Sequence, residues 1–369
     1  MLNNRSAPAL VAGAFVLIGL IGWLAGWHLG LDSSVYRSGA LAVLRGEELY
    51  GHLTATPDWA VDLPFTYPPI AAVLFLPLAF LPTQLVWAVF GAGTALGVAA
   101  VLRWTTGRAP SLVLLVVTFS LEPVWRTIGY GQVNVLLMAL VAFDLLRPHR
   151  WSGVLVGVAA AVKLTPLIFV LHLAVTGRWR EAGRALATFC GLHALGFLLL
   201  PGDSLRFWGS AILTGNKAAG NGYITNQSLS GAVQRLTDGA AWAPVLVAVL
   251  SVACVVVAAV LARRSHLGGD PVAAVLITAG CGLLVSPISW SHHWVWVVPL
   301  VALLVRRTVV WVVFTCWALV VPSGNALLDN LYVLAALAGG VAWWARGRVA
   351  VDVRSARVGA NDPRGRWHG

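Results

Sequence analysis

Apolar runs alternate with short polar stretches from Ala9 to Trp344. Several runs approach the roughly 20 residues that an α-helix needs to cross a bilayer core. The pattern predicts crossings at 8–27, 84–102, 110–124, 132–146, 152–162, 165–177, 184–200, 242–262, 271–286, 293–305, 308–321 and 329–344. That is about twelve transmembrane helices with both termini on one side. The first run is read as a retained helix, because no small-x-small cleavage site ends it.

Two segments are placed by argument rather than by length. The run "PPIAAVLFLPLAFLP" (68–82) is short and proline-bounded, so it is expected to sink into the interface without crossing. The run "GVLVGVAAAVKLTPLIFVLHLAV" is expected to break at Lys163–Pro166, since proline lacks the amide donor a helix interior needs. Residues 33–45 form a plausible interfacial helix. Val35, Leu41, Ala42 and Leu44 lie near one stripe, with Arg37 and Arg45 able to reach headgroups. Asp32, Ser33 or Ser34 could cap that helix.

Composition strengthens this reading. The chain has 369 residues, 59% hydrophobic and only 11% charged, more apolar surface than a soluble core absorbs. Residues 1–346 are expected to form a single transmembrane domain, and 347–369 a basic, disordered cytoplasmic tail. The net charge of +11 does not point to nucleic acid. Arginines sit in short clusters between apolar runs (Arg103/Arg108, Arg147/Arg150, Arg178/Arg180/Arg184, Arg263/Arg264, Arg306/Arg307 and beyond Arg346), the positive-inside pattern. These clusters place both termini in the cytoplasm. Cys190, Cys254, Cys281 and Cys316 fall inside apolar runs with no metal or disulfide spacing.

Polar residues then collect on the opposite, outer side. Loop 28–83 carries Asp32, Glu47, Glu48, Asp58, Asp62 and "FTYPP" with Tyr67. "LEPVWRTIGYGQVN" offers Glu122, Arg126, Gln132 and Asn134. The helix break supplies Lys163, "NQSLSGAVQR" supplies Asn226 and Gln227, and "SPISWSHHW" supplies Trp290, His292, His293 and Trp294. Ionisable groups at membrane depth pair with each other or line a wet cavity. Glu122 and Arg126, at i and i+4, either pair or serve a site. Asn226-Gln227-Ser228 matches a glycosylation sequon, and its amides also suit a sugar. No third ligand accompanies the histidines, so no metal is expected.

Six stretches together resemble glycosyltransferase family 87: "DSSVYRSGALAVLRGEELY", "LPFTYPPIAAVLFLPLAFLP", "GQVNVLLMALVAFDLL", "GVAAAVKLTPLIFV", "NQSLSGAVQR" and "SPISWSHHWVWVVP". They occur in family order and cover most of residues 28–300. The resemblance implies an all-α polytopic membrane protein of the GT-C fold, with two juxtamembrane helices in the first external loop. It implies an actinobacterial α-mannosyltransferase of the plasma membrane that acts on the extracytoplasmic face. The donor would be polyprenyl-phosphate-mannose. The acceptor would be a lipid-anchored glycan such as a phosphoinositol mannoside, lipomannan or lipoarabinomannan, membrane lipids would be the remaining partners, and no cofactor is implied.

The resemblance also implies roles. Asp32 holds the place of the acidic residue that follows the first span, and would be the catalytic base; Asp58 and Asp62 are its rivals. Lys163, Arg126, His292 and His293 would hold the donor phosphate. Tyr67, Glu122, Gln132, Asn134, Asn226, Gln227, Trp290 and Trp294 would bind sugar or acceptor. A polytopic transporter or flippase of a lipid-linked or small polar substrate is the alternative, since it too uses broken helices and buried charge.

Overall fold

The computed structural model describes residues 6–212, 222–304, 313–315 and 323–360. Lys217, Arg306, Arg307, Cys316, most of the expected crossing at 308–321 and tail residues 361–369 lie outside them. Among the described residues every regular element is helical. Among the described residues, five helices are long and apolar enough to cross a membrane. The chain is a multi-pass membrane protein.

Helix α1 (Ala7–Leu24) opens with a proline in its first turn, where the missing N–H would be unpaired anyway. Helix α2 (Leu31–Arg45) lies between Gly30 and Gly46, both with left-handed backbone. It is not capped by Asp32, Ser33 or Ser34, because no side chain accepts from its first turn. The Ser33 and Ser34 hydroxyls instead donate back to the carbonyls of Gly30 (2.9 Å) and Leu31 (2.6 Å). Nor does α2 float at an interface with one apolar stripe. Ser33, Ser34, Tyr36, Ser38 and Ala40 are buried along with Val35 and Ala42, and Arg37 donates to the Leu81 carbonyl at 2.7 Å.

Helix α3 (Pro69–Leu74) and a 3₁₀ turn at Leu76–Phe80 occupy the run at 68–82, and neither is long enough to cross. Helix α4 (Thr83–Thr106) packs along α1. The expected helix at 110–124 is two pieces, α5 (Leu112–Phe119) and α6 (Glu122–Tyr130), bent by 79° at Ser120–Leu121. Pro123 explains the restart, since it fits the first turn of a new helix but not the interior of an old one.

Helix α7 (Asn134–Leu146) leads to α8 (Val154–Val162). Lys163 is extended, at φ −146° and ψ 128°, and ends α8. A 3₁₀ turn over Thr165–Leu167 then starts α9 (Ile168–Val175). The break falls where Lys163 and Pro166 predict it. Helices α10 (Trp179–Leu199) and α11 (Pro201–Arg206) follow, and α11 continues into a π-helical turn at Phe207–Ala211. Helix α12 (Leu229–Thr237) is capped by Ser228, whose hydroxyl accepts from Gly231 N–H at 3.0 Å. Helices α13 (Ala243–Leu267) and α14 (Pro271–Val285) form an antiparallel pair. A 3₁₀ segment (Ser291–Trp296), α15 (Val297–Leu304) and α16 (Leu331–Ala360) complete the order.

On α7, Asp144 is fully buried and receives N–H bonds from Gly153 (2.9 Å) and Val156 (2.9 Å), which anchors the start of α8. A charged acceptor for otherwise unpaired helix-start amides contributes about 1.5–3 kcal/mol. Asp144→Ala is therefore expected to lower the melting temperature of the detergent-solubilised protein. The folded fraction should keep its specific activity, because Asp144 does not line the cavity described below. An unchanged melting curve would show that the cap carries no stability.

Candidate active site

Two glycines bring the start of α2 and the end of α6 together. Gly30 (φ 72°) starts α2 and Gly131 (φ 68°) ends α6. A β-carbon on either would collide with the Ser33 side chain, and on Gly30 also with Trp87 at 2.9 Å. Only glycine combines that backbone with so close an approach. Gln132 N–H closes α6 by bonding back to the Thr127 carbonyl at 2.9 Å, a Schellman-type end. Trp87 pins the same turn through its indole N–H to the Ile128 carbonyl, 2.7 Å. Asp32 and Gln132, a hundred residues apart, are thereby set side by side, and Gln132 Nε2 donates to Asp32 Oδ2. Burial pushes the Asp32 carboxyl up to about 6, against the opposing pull of the Gln132 hydrogen bond and the Lys163 charge.

One turn along α2, Tyr36 lies in a buried aromatic cluster. Its ring stacks on Phe75 (centroids 4.9 Å apart) and meets Tyr67 and Phe90 edge-on. Its hydroxyl donates to Gln132 Oε1 at 2.8 Å and lies 2.9 Å from the Tyr67 hydroxyl.

The far wall is basic. The extended backbone at Lys163 turns its ammonium to Asn134 Oδ1 (3.0 Å) and His293 Nε2 (3.1 Å), above the Tyr67 ring at 5.6 Å. Accepting from an ammonium requires a neutral His293 with its proton on Nδ1, which bonds to the backbone of Ile288. Asn134 also donates to the His292 carbonyl at 3.1 Å, so one amide holds both the lysine and the histidine turn. His292 packs edge-on to Tyr130 and His293, and neither of its ring nitrogens has a protein hydrogen-bond partner. Arg126 is held by Glu122 (Nε to Oε1, 3.1 Å) and donates to the Ser291 hydroxyl at 3.1 Å. Ser291 donates in turn to Glu122 Oε1 (2.6 Å), and Tyr332 of α16 donates to Oε2 (2.8 Å).

These walls enclose a cavity of about 800 Å³. Asp32, Tyr67, Arg126, Gln132, Lys163, Trp290, His292 and His293 all line it. Asn134 touches a small neighbouring void behind Lys163. Glu122, Asn226, Gln227 and Trp294, expected to touch sugar or acceptor, are buried and do not line the cavity. Glu122 serves Arg126. Asn226 accepts from Ser289 N–H at 2.9 Å, and Gln227 donates to the carbonyls of Ile224 and Asp329. The sequon asparagine is therefore an internal backbone partner. Asp58 and Asp62 stay away from the cavity; Asp62 pairs with exposed His52 at 2.9 Å. Among the described residues no three His, Cys, Asp or Glu side chains converge as a metal site.

Tyr36 and Ser291 were missed from sequence. Tyr36 was detectable in principle, because it lies i+4 from Asp32 on one helix face. Ser291 carries no local signal; only the packing of α6 on the 3₁₀ segment shows it. The cavity lining also has an apolar part that includes Phe207, Ala211, Ile212, Ile168, Val285 and Ile288.

Residues 65–287 match the sequence model of Glycosyltransferase family 87. A Mycobacterium tuberculosis protein described as a polyprenol-phosphate-mannose-dependent alpha-(1-2)-phosphatidylinositol mannoside mannosyltransferase is 37% identical, over 79% of this chain and 74% of its own length. The Mycolicibacterium smegmatis protein of the same description is 33% identical over 96% of this chain and 93% of its own. A second Mycobacterium tuberculosis relative, described as acting on phosphatidylinositol pentamannoside, is 37% identical over 74% of this chain and 66% of its own. No solved structure matches.

Glu122→Ala is expected to destabilise the protein by about 1–3 kcal/mol, because it leaves a mostly buried guanidinium without its counter-charge. Tyr332→Phe should cost less. Thermal melts in detergent test the order; a Glu122→Ala melt equal to wild type would refute the network.

Proposed function

This chain belongs to glycosyltransferase family 87, and we propose that it transfers mannose from polyprenyl-phosphate-mannose to a lipid-anchored mannoside. It is a membrane glycosyltransferase. The observation that carries the finer reading is one cavity with a carboxylate, Asp32, on one wall and Lys163 and Arg126 on others.

In the reaction, an acceptor hydroxyl oxygen attacks the anomeric carbon as the bond to the phosphate oxygen breaks. The electron pair leaves with the phosphate. The hydroxyl proton passes to Asp32, a general-base contribution of about 10²–10⁴-fold. A single base opposite the leaving group inverts the configuration, as in inverting glycoside hydrolysis with a sugar alcohol in place of water. A phosphate leaves as an anion and needs positive charge rather than an acid. Lys163 supplies it, Arg126 adds directed N–H donors, and His292 adds a ring nitrogen free of protein partners. Tyr67 and Trp290 offer faces to the sugar. The apolar part of the lining suits the first isoprene units.

The acceptor class is the phosphatidylinositol mannosides named for the relatives, or the lipomannan and lipoarabinomannan built on them, with an α-1,2 linkage. The membrane arrangement we propose is the GT-C fold with about twelve crossings and both termini cytoplasmic. It follows the distribution of arginines and opens the cavity to the extracytoplasmic side.

Asp32→Asn should abolish transfer of radiolabelled mannose from the lipid donor in membranes while leaving expression and melting temperature intact. Retained activity would remove the base assignment. A base that titrates near 6 works only when ionised. kcat/KM should therefore rise with pH through about 6 and flatten above 7, falling about tenfold per unit on the acid side. A flat profile between pH 5 and 7 would contradict it. Lys163→Ala should raise KM for the lipid donor at least about tenfold, as expected for a lost charge-assisted contact; unchanged donor dependence would count against the phosphate role.

A further inference from the structure

The hydrogen bonds around Asp32 have a direction. A carboxylate only accepts, so the Gln132 amide must present its NH₂ to Asp32. Its carbonyl oxygen then faces Tyr36, whose hydroxyl must donate. The Tyr36 oxygen is left to accept from Tyr67, 2.9 Å away, whose hydroxyl lies 3.4 Å from the same Gln132 oxygen. Each donor in the series points toward Asp32. The members are enclosed: Tyr36, Gln132 and Tyr67 are 1%, 5% and 8% exposed. Burial holds the Tyr36 phenol well above its ordinary range, with Tyr67 and Asp32 adding to the rise, so it stays a protonated donor.

We infer that Gln132 is the positioning residue of the catalytic carboxylate rather than a sugar ligand, and that Tyr36, backed by Tyr67, positions Gln132. The inference rests on Asp32 being the base. Gln132 engages Oδ2 only, so Oδ1 remains for the acceptor hydroxyl. Gln132 cannot double as a sugar ligand through its oxygen, because both tyrosines occupy that atom's neighbourhood. No proton travels along the series; amides do not relay one here. The series fixes which carboxylate oxygen reacts and stabilises the ionised form. A carboxylate freed to rotate would spend part of its time with the wrong oxygen forward, and small misplacements cost about 10²-fold.

Other groups facing the same cavity also act on Asp32. Lys163 at the helix break is the cation that lowers its carboxyl. Arg126 and Tyr130 on α6, His292 and His293 on the 3₁₀ segment, and Tyr67 on the loop before α3 share the cavity. None is altered by the substitutions below apart from the link they break.

The test is a pH–rate profile from pH 4.5 to 8.5 for the full chain in membranes, using polyprenyl-phosphate-mannose and a phosphatidylinositol mannoside. Gln132→Met keeps the volume but removes the amide. It should lower kcat about 10–100-fold, leave the acceptor KM within about twofold, and move the acid limb up by about one pH unit or more. Tyr36→Phe removes a single oxygen from a packed ring. It should shift kcat and the limb in the same direction by less. The double variant should be no worse than Gln132→Met alone, since both act through one link. A raised acceptor KM with an unmoved limb in Gln132→Met would return Gln132 to sugar binding and overturn the inference. So would wild-type kcat and limb in Tyr36→Phe. Failure of the base reading looks different: the wild type would show no acid limb, and Asp32→Asn would stay active.

Discussion

A carboxylate and an ammonium that share a cavity within a membrane protein each favour the charged form of the other. Desolvation raises the Asp32 carboxyl to about 6 even against the Gln132 hydrogen bond and the Lys163 charge, and would raise it further without them. Lys163 alone would be an unpaired ammonium among apolar helices, a costly state. Across the cavity each favours the charged form of the other, and each has a neutral amide holding it in place. Gln132 holds the carboxylate and Asn134 the ammonium, two residues apart at the α6–α7 junction. That junction is the point on which both walls of the site depend.

The surrounding backbone is irregular where the cavity lies. The chain unwinds at Lys163, bends between α5 and α6, and runs extended before the 3₁₀ segment. Non-helical backbone at membrane depth is tolerated only where it lines a cavity or finds partners within the protein. The partners here are side-chain amides and hydroxyls. Asn134 and Thr127 both donate to the His292 carbonyl, Asn226 receives Ser289 N–H, and Ser228 reaches the Pro287 carbonyl. This explains residues whose chemistry suits sugar but whose position does not: Asn226 and Gln227 replace the hydrogen bonds that a helix would have made.

The two cationic side chains are also unlike. Arg126 is already matched by Glu122, so it brings directed N–H groups with little net charge. Lys163 sits between neutral partners and brings the charge itself. In the proposed reaction the leaving phosphate would draw on both attributes, geometry from one group and charge from the other. Through Tyr332 the Arg126 pair also reaches α16, so the C-terminal helix helps to hold a site formed mainly by the first 300 residues.

Hydrophobic length and arginine clustering were enough to assign a polytopic helical protein, to keep 68–82 from crossing, and to place the break at Lys163–Pro166. Each is a local property, set by segment length, proline geometry and charge within a few residues. Ionisable and amide groups in apolar surroundings stand out by their cost, which picked out Asp32, Tyr67, Arg126, Gln132, Lys163, Trp290, His292 and His293 of the cavity lining, but also Glu122, Asn226, Gln227 and Trp294, which lie behind it. What local pattern could not decide was direction. Glu122 and Arg126 were visible as a pair, yet only the packing of α6 on the 3₁₀ segment turned the arginine into the cavity and the glutamate behind it. A helix cap was the alternative reading of Asp32, and the structure instead has Gly30 and Gly131 bring Gln132 against it. Which polar atom faces the cavity and which faces the backbone is fixed by contacts between elements a hundred residues apart, and no local period encodes them.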